Sequence, residues 1–146
     1  SNDMIKMIVG GGMLLEERIV LLCFLGLIGC QEQFNLLQVD EVDKIEVLLA
    51  SDEDVSRTEV ITITEPDELR GMMRILRSGK LGRRIADRDM YLVQSSYYVL
   101  YKDDEVVQMI SFNGNDSRHV WRGVECFEVK YSGMTPYEFV ESLDNK

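Results

Sequence analysis

Side chains suited to nucleophilic or acid–base chemistry are scarce in this sequence. His119 is the single histidine, and Cys126 follows it seven residues later in the stretch SRHVWRGVEC. A thiol and an imidazole on adjacent strands could form a nucleophile–base pair, whereas a cysteine on a strand more often serves as a small apolar residue. One histidine and one cysteine at this spacing do not match a zinc site. We therefore expect a protein that is not an enzyme and that holds no cofactor and no metal.

Motifs for phosphate or calcium chemistry are incomplete. The glycines at 10–12 precede an apolar run and do not follow a strand, as a phosphate-binding loop would. The acidic stretch 51–59 lacks the glycine that an EF-hand loop needs at its bend. The other carboxylates are scattered in turns, so no pair of acids is singled out for glycosidase-like catalysis.

Positive charge is concentrated between Arg70 and Arg88. This stretch holds seven of the sixteen basic residues and one acid, Asp87, in a chain of net charge −10. Three of the bases recur at helical spacing, and the stretch KLGRRIADR, predicted to be a loop, extends them. The seven are Arg70, Arg74, Arg77, Lys80, Arg83, Arg84 and Arg88.

This basic cluster has two interpretations. It could bind an acidic protein, a phosphate or anionic headgroups. Alternatively, its side chains pair with the surrounding acids or lie over the edge of the core. The acidic balance of the whole chain and the few aromatic residues near the cluster argue against nucleic acid as a partner.

The apolar run Ile19–Gly29 ends at Cys30. A transmembrane helix needs about 20 apolar residues, so this run is too short to span, but it has the length of a signal-peptide core, about 7–15 residues. Its end, Leu27-Ile28-Gly29-Cys30, resembles the lipobox of bacterial lipoproteins. The resemblance implies cleavage before Cys30, a thioether-linked diacylglycerol on its sulfur, and anchoring of the chain to a membrane of the cell envelope.

A second interpretation of the run stays open. A signal peptide begins with a basic region, but Glu16 and Glu17 offset Lys6 and Arg18. Residues 14–29 could instead form a core helix that ends at Gly29. That alternative makes the chain a soluble intracellular interaction module, such as an immunity-type inhibitor.

These observations predict three regions. Residues 1–29 are a tag-cleavage scar plus a signal peptide, residues 30–43 are an acidic tether, and residues 44–146 form a single domain. In that domain, Lys44–Ala50 and Glu59–Thr64 are β-rich runs. A helix follows, with Thr64 as its predicted N-cap and one apolar stripe at i, i+3, i+4 and i+7, formed by Leu69, Met72, Met73 and Leu76.

The second half of the domain is predicted to be mostly strands. Asp103-Asp104 marks a hairpin, and the final strands meet around Arg122-Gly123. The last helix begins at Thr135-Pro136, with Glu138 at the capping-box position. The expected fold is α+β, an antiparallel sheet of about five or six strands in the order ββαβββ(β)α, with helices on one face.

The step from strand Val60–Ile63 into Asp67-Glu68-Leu69 is similar to a pattern in the C-terminal domains of small uncharacterised bacterial lipoproteins. Together with the lipobox, this resemblance implies a lipid-anchored cell-envelope protein. From the scarcity of catalytic side chains and from the basic cluster, we expect that protein to be non-enzymatic and to have a macromolecule-binding domain. The alternative from the core-helix interpretation is a cytoplasmic protein.

Overall fold

The computed structural model describes residues 35–51 and 58–144. The apolar run, the lipobox-like residues and Cys30 lie outside the described residues, as does the core helix considered for residues 14–29.

The described chain forms one antiparallel sheet of seven strands in the order β2-β1-β4-β5-β6-β7-β3. Two helices accompany the sheet, α1 (Pro66–Ser78) and α2 (Pro136–Asp144). The α+β class is therefore confirmed, with one strand more than the upper expectation. The strands are β1 (Lys44–Ala50), β2 (Thr58–Ile63), β3 (Lys80–Arg84), β4 (Ser95–Lys102), β5 (Glu105–Asn113), β6 (His119–Arg122) and β7 (Glu125–Lys130).

Strand β3 is the element that the sequence analysis assigned to a loop. It forms one edge of the sheet, where Leu81 pairs with Val129 of β7 and the register shifts before Arg84. Its sequence KLGRR contains one large apolar residue and a glycine, so it lacks the period of two that identifies a strand. The observed order is ββαβββββα.

One face of the sheet carries the core. Val47, Tyr98 and Ile110 are direct cross-strand partners, and all three are buried. Both helices pack on this face, which confirms the prediction that helices lie on one side. From α1 the predicted stripe is buried, comprising Leu69, Met72, Met73 and Leu76.

The start of α1 differs from the prediction. The N-cap is Glu65, which makes no side-chain cap hydrogen bond, so the assignment of Thr64 as N-cap was wrong. Pro66 at the first helical position has no N–H to be capped and its fixed φ suits a helix, so this start needs no capping side chain. Asp67 forms an ion pair with Arg70 one turn further on.

The two helices contact each other at a glycine. A Cβ built on Gly71 of α1 would lie 2.8 Å from the ring of Phe139 in α2. The close approach explains why a residue unfavourable in helix interiors occupies the middle of α1.

Residues 35–43, assigned to the acidic tether by the sequence analysis, pack against the domain. Leu36 and Leu37 are buried in the core, and Val42 packs against it. The backbone N–H of Leu36 donates to the carbonyl of Gly79 at 3.1 Å. The packed domain therefore includes this segment and does not begin at Lys44, because burial of the two leucines in the core stabilises its attachment.

The opposite face of the sheet is covered by no helix in the described part of the chain. Val60, Leu48 and Tyr97 lie side by side across three strands there, and Met109 is more than half exposed. Among the described residues, no helix has the length and apolar character needed to span a membrane.

Candidate functional site

A groove of about 510 Å³ runs along helix α1. Residues 40–42 line it together with the helix, so the segment that was expected to be a tether contributes to the site. Three predicted basic residues lie on it, spaced as the sequence indicated, namely Arg70, Arg74 and Arg77. Leu69 and Met73 add apolar surface.

The groove also contains charged residues that sequence reasoning did not connect with the helix. Asp40, Glu41 and Lys102 line it, and Lys102 Nζ lies 3.9 Å from the carboxylate of Glu41. These positions are far from α1 in the sequence, and no local pattern marks them. They meet the helix because Val42 packs against the core and β4 ends at Lys102.

The arginines of the groove differ in whether an acidic side chain pairs with them. Arg70 pairs with Asp67 on the same helix. Arg74 and Arg77 are exposed and form no ion pair with any described residue. Because Glu41 is beside Lys102, the positive charge of the groove is concentrated at Arg74 and Arg77.

The other four bases of the predicted cluster do not line the groove. Lys80 Nζ donates to the side-chain oxygen of Asn35. The remaining three lie near acids, with Arg83 at 3.3 Å from Glu128, Arg84 at 4.0 Å from Glu125, and Arg88 at 3.8 Å from Asp89. The structure thus divides the predicted cluster into three bases in the groove on α1, three on strand β3 and Arg88 in the turn after β3, and the last four have acidic or polar neighbours.

His119 and Cys126 do come close to one another. They line a small cavity of about 130 Å³ with Ile85, Met90 and Tyr91 among its other walls. Cys126 is buried, and burial raises the pKa of its thiol above the ordinary value. A thiol that is disfavoured as a thiolate is a poor nucleophile, so this pair has the character of a packed interior site.

Metal binding has no support in the described part of the chain, where no three His, Cys, Asp or Glu side chains come together in a way that could hold an ion. The chain matches no protein-family model, no curated protein and no solved structure. Its functional assignment therefore depends on the geometry of the groove and on the sequence patterns.

Proposed function

We propose that this chain is a lipid-anchored, non-enzymatic cell-envelope protein whose α+β domain binds an acidic polypeptide through the groove on α1. The anchor is supported by the similarity of Leu27-Ile28-Gly29-Cys30 to a lipobox. The binding role is supported by the groove and its two arginines without an ion pair to a described residue, Arg74 and Arg77, and this is the observation that carries the proposal.

The chemistry of the groove favours carboxylates as ligands. Arg74 and Arg77 are one helical turn apart, so their side chains lie on neighbouring positions of one face. Each guanidinium is a planar donor fork that binds a carboxylate with two parallel hydrogen bonds. The apolar surface of Leu69 and Met73 beside them offers contacts to the methylene groups of an acidic side chain.

The acids in the same groove set the orientation of such a ligand. Asp40 and Glu41 repel carboxylates, while Arg74 and Arg77 attract them. An acidic segment therefore binds along the helix and away from residues 40–42. Repulsion by the acids on one side of the groove and attraction by the arginines on the other favour a ligand whose carboxylates lie along the helix.

Charge reversal tests this binding site. In a titration of fluorescent poly-L-glutamate with the full chain at low salt, we expect Arg74→Glu/Arg77→Glu to weaken binding about tenfold or more, since two attractive contacts become repulsive. The matched control is Arg83→Glu, because Arg83 is exposed but lies beside Glu128. The control should change binding less than about twofold.

Thermal unfolding of each variant separates a binding role from a structural one. The proposal predicts that the double variant keeps the unfolding midpoint of the parent chain. An equal loss of binding in the double variant and in the control, or no loss in either, would contradict the groove as the site. A parallel loss of stability and binding would assign the two arginines to packing.

A further inference from the structure

The segment that enters β4 presents three consecutive large apolar side chains to solvent. It follows a short 3-10 turn, Asp87–Asp89, and leads from Met90 into Ser95. Tyr91 is 83 % exposed, Leu92 71 % and Val93 45 %. A contiguous exposed apolar stretch of this kind is uncommon on a soluble domain and indicates an interaction surface.

A buried asparagine holds this segment, residues 90–94, on both sides of Leu92. The Nδ2 of Asn113 donates to the carbonyl of Tyr91 at 2.9 Å. The N–H of Val93 donates to Oδ1 of the same amide at 3.2 Å. Asn113 is only 9 % exposed, so its amide is a fixed part of the domain, placed at the end of β5.

The residue after the asparagine adds to this support. Gly114 has φ of +92°, and a Cβ there would lie 2.9 Å from Cγ2 of Val93. The hydroxyl of Ser96, which is fully buried, donates to the carbonyl of Gly114 at 2.8 Å. Glycine thus permits both the backbone conformation and the close contact with Val93.

The two hydrogen bonds to Asn113 determine which main-chain groups remain available. In an extended chain, the polar groups of alternate residues point to the same side. The carbonyl of Tyr91 and the N–H of Val93 point to Asn113, so the N–H and carbonyl of Leu92 point to the side opposite Asn113. Within the described residues, Leu92 makes no hydrogen bond.

We propose that residues 90–94 form an inhibitory loop that docks into the substrate cleft of a serine endopeptidase, with Leu92 in its specificity pocket. Such clefts bind an extended segment through main-chain hydrogen bonds and recognise its side chains in pockets. The free main-chain groups and the exposed side chain of Leu92 match both requirements. A rigid loop also loses little conformational entropy on binding.

A bilayer fits these features less well. In hydrocarbon, the unpaired N–H and carbonyl of Leu92 would lose water without gaining a partner. Residues 90–94 do not line the groove on α1, so their inhibitory role does not depend on the proposed function.

The hydrogen bonds of Asn113 to Tyr91 and Val93 also explain how such a loop resists turnover. Attack by the serine hydroxyl on the Leu92 carbonyl carbon forms an acyl ester and breaks the bond to the Val93 nitrogen, which takes up the hydroxyl proton through the peptidase base. Asn113 still holds the new amine, and Gly114 still packs against Val93. The amine can therefore attack the ester, restore the peptide bond and return the proton to the serine, faster than water completes hydrolysis.

The test measures inhibition of subtilisin, chymotrypsin and trypsin by the full chain, with small chromogenic substrates. We expect stoichiometric inhibition of subtilisin and chymotrypsin, which accept large apolar residues, and none of trypsin. Leu92→Arg should transfer inhibition to trypsin, and Leu92→Asp should weaken inhibition of the other two about 100-fold or more. Val124→Asp, at an apolar position 90 % exposed on the β6–β7 turn, is the matched control and should inhibit as the parent does.

One further variant tests the two hydrogen bonds by which Asn113 holds the segment. Asn113→Asp keeps an acceptor for the Val93 N–H and loses the donor to Tyr91, so we expect an inhibitor that is slowly cut between Leu92 and Val93, as seen by mass spectrometry. Circular dichroism verifies that each variant is folded.

Three results would overturn the inference: no inhibition of either apolar-specific peptidase by the parent chain, undiminished inhibition by Leu92→Asp, or no gain against trypsin in folded Leu92→Arg. Leu92-dependent binding to phosphatidylcholine vesicles without peptidase inhibition would also overturn it, in favour of a membrane contact.

Discussion

At the scale of single residues, Tyr98 carries a polar hydroxyl into the apolar core. It is fully buried in β4 and packs edge-to-face on Phe112, with ring centroids 5.3 Å apart. Its hydroxyl has no hydrogen-bond partner among the described residues. Burial raises the pKa of Tyr98 far above its ordinary value, so the hydroxyl stays neutral. A buried hydroxyl without a partner costs about 1–3 kcal/mol.

Removing that hydroxyl should therefore stabilise the domain. We expect Tyr98→Phe to raise the free energy of unfolding by about 1 kcal/mol, measured by urea denaturation. Tyr131→Phe is the matched control, because the Tyr131 hydroxyl donates to the carbonyl of Ser117 at 2.6 Å. That change should lower the free energy of unfolding by about 1 kcal/mol. A loss of stability in Tyr98→Phe would mean that its hydroxyl has a partner after all.

The sequence predicted some of these residues well and others not at all. The apolar stripe of α1 and the spacing of Arg74 and Arg77 follow from helical periodicity, which is a local property. Whether an arginine is paired depends on which acids the fold brings near it. Glu128 and Glu125 reach β3 only through the pairing of strands distant in sequence.

At the scale of elements, the two helices begin in different ways. Helix α2 has the predicted capping box, in which the N–H of Thr135 donates to Glu138 Oε1 at 3.0 Å and the N–H of Glu138 donates to Thr135 Oγ1 at 3.2 Å. The hydrogen bond from the Thr135 backbone is the largest influence on Glu138 and lowers the pKa of its carboxyl. A carboxylate at a helix N-terminus also suits the helix dipole.

The stabilisation from Glu138 should depend on pH. Because its pKa is lowered by folding, its contribution is complete above the ordinary glutamate value of about 4.3 and is lost as the pH falls through the lowered value. We expect Glu138→Gln to lower the thermal midpoint at neutral pH, with the difference from the parent chain disappearing in strong acid.

Glu141→Gln is the control for that experiment. It lies on the same helix, and its side chain makes no hydrogen bond with another described residue, so its effect should be small at every pH. A difference between Glu138→Gln and the parent that persists unchanged in acid would contradict the cap as its source.

Element boundaries show where local patterns are insufficient. The cap of α2 was predicted correctly because its signal, Thr-Pro followed by a glutamate, lies within four residues. The cap of α1 was not, since Pro66 makes a capping side chain unnecessary. Strand β3 was missed because its pairing with β7 is a tertiary contact that the residues KLGRR do not encode by alternation.

At the scale of the whole molecule, the described domain has one covered and one open sheet face. Two helices and residues 35–43 cover the core face, while Tyr97 and Met109 remain exposed on the other. The chain enters the described domain at the β3 edge, where Asn35 bridges to Lys80. Cys30, the residue proposed to carry lipid, is five residues earlier in the sequence.

The lipid on Cys30 is the central claim of this account, and incorporation of radiolabelled palmitate tests it most directly. In a bacterium that processes lipoproteins, we predict labelling of the chain and of a Cys23→Ser control from the same apolar run, and loss of label in Cys30→Ser. Labelling that is absent from the parent chain, or that persists in Cys30→Ser, would contradict a lipid anchor at this residue and favour the soluble interaction module.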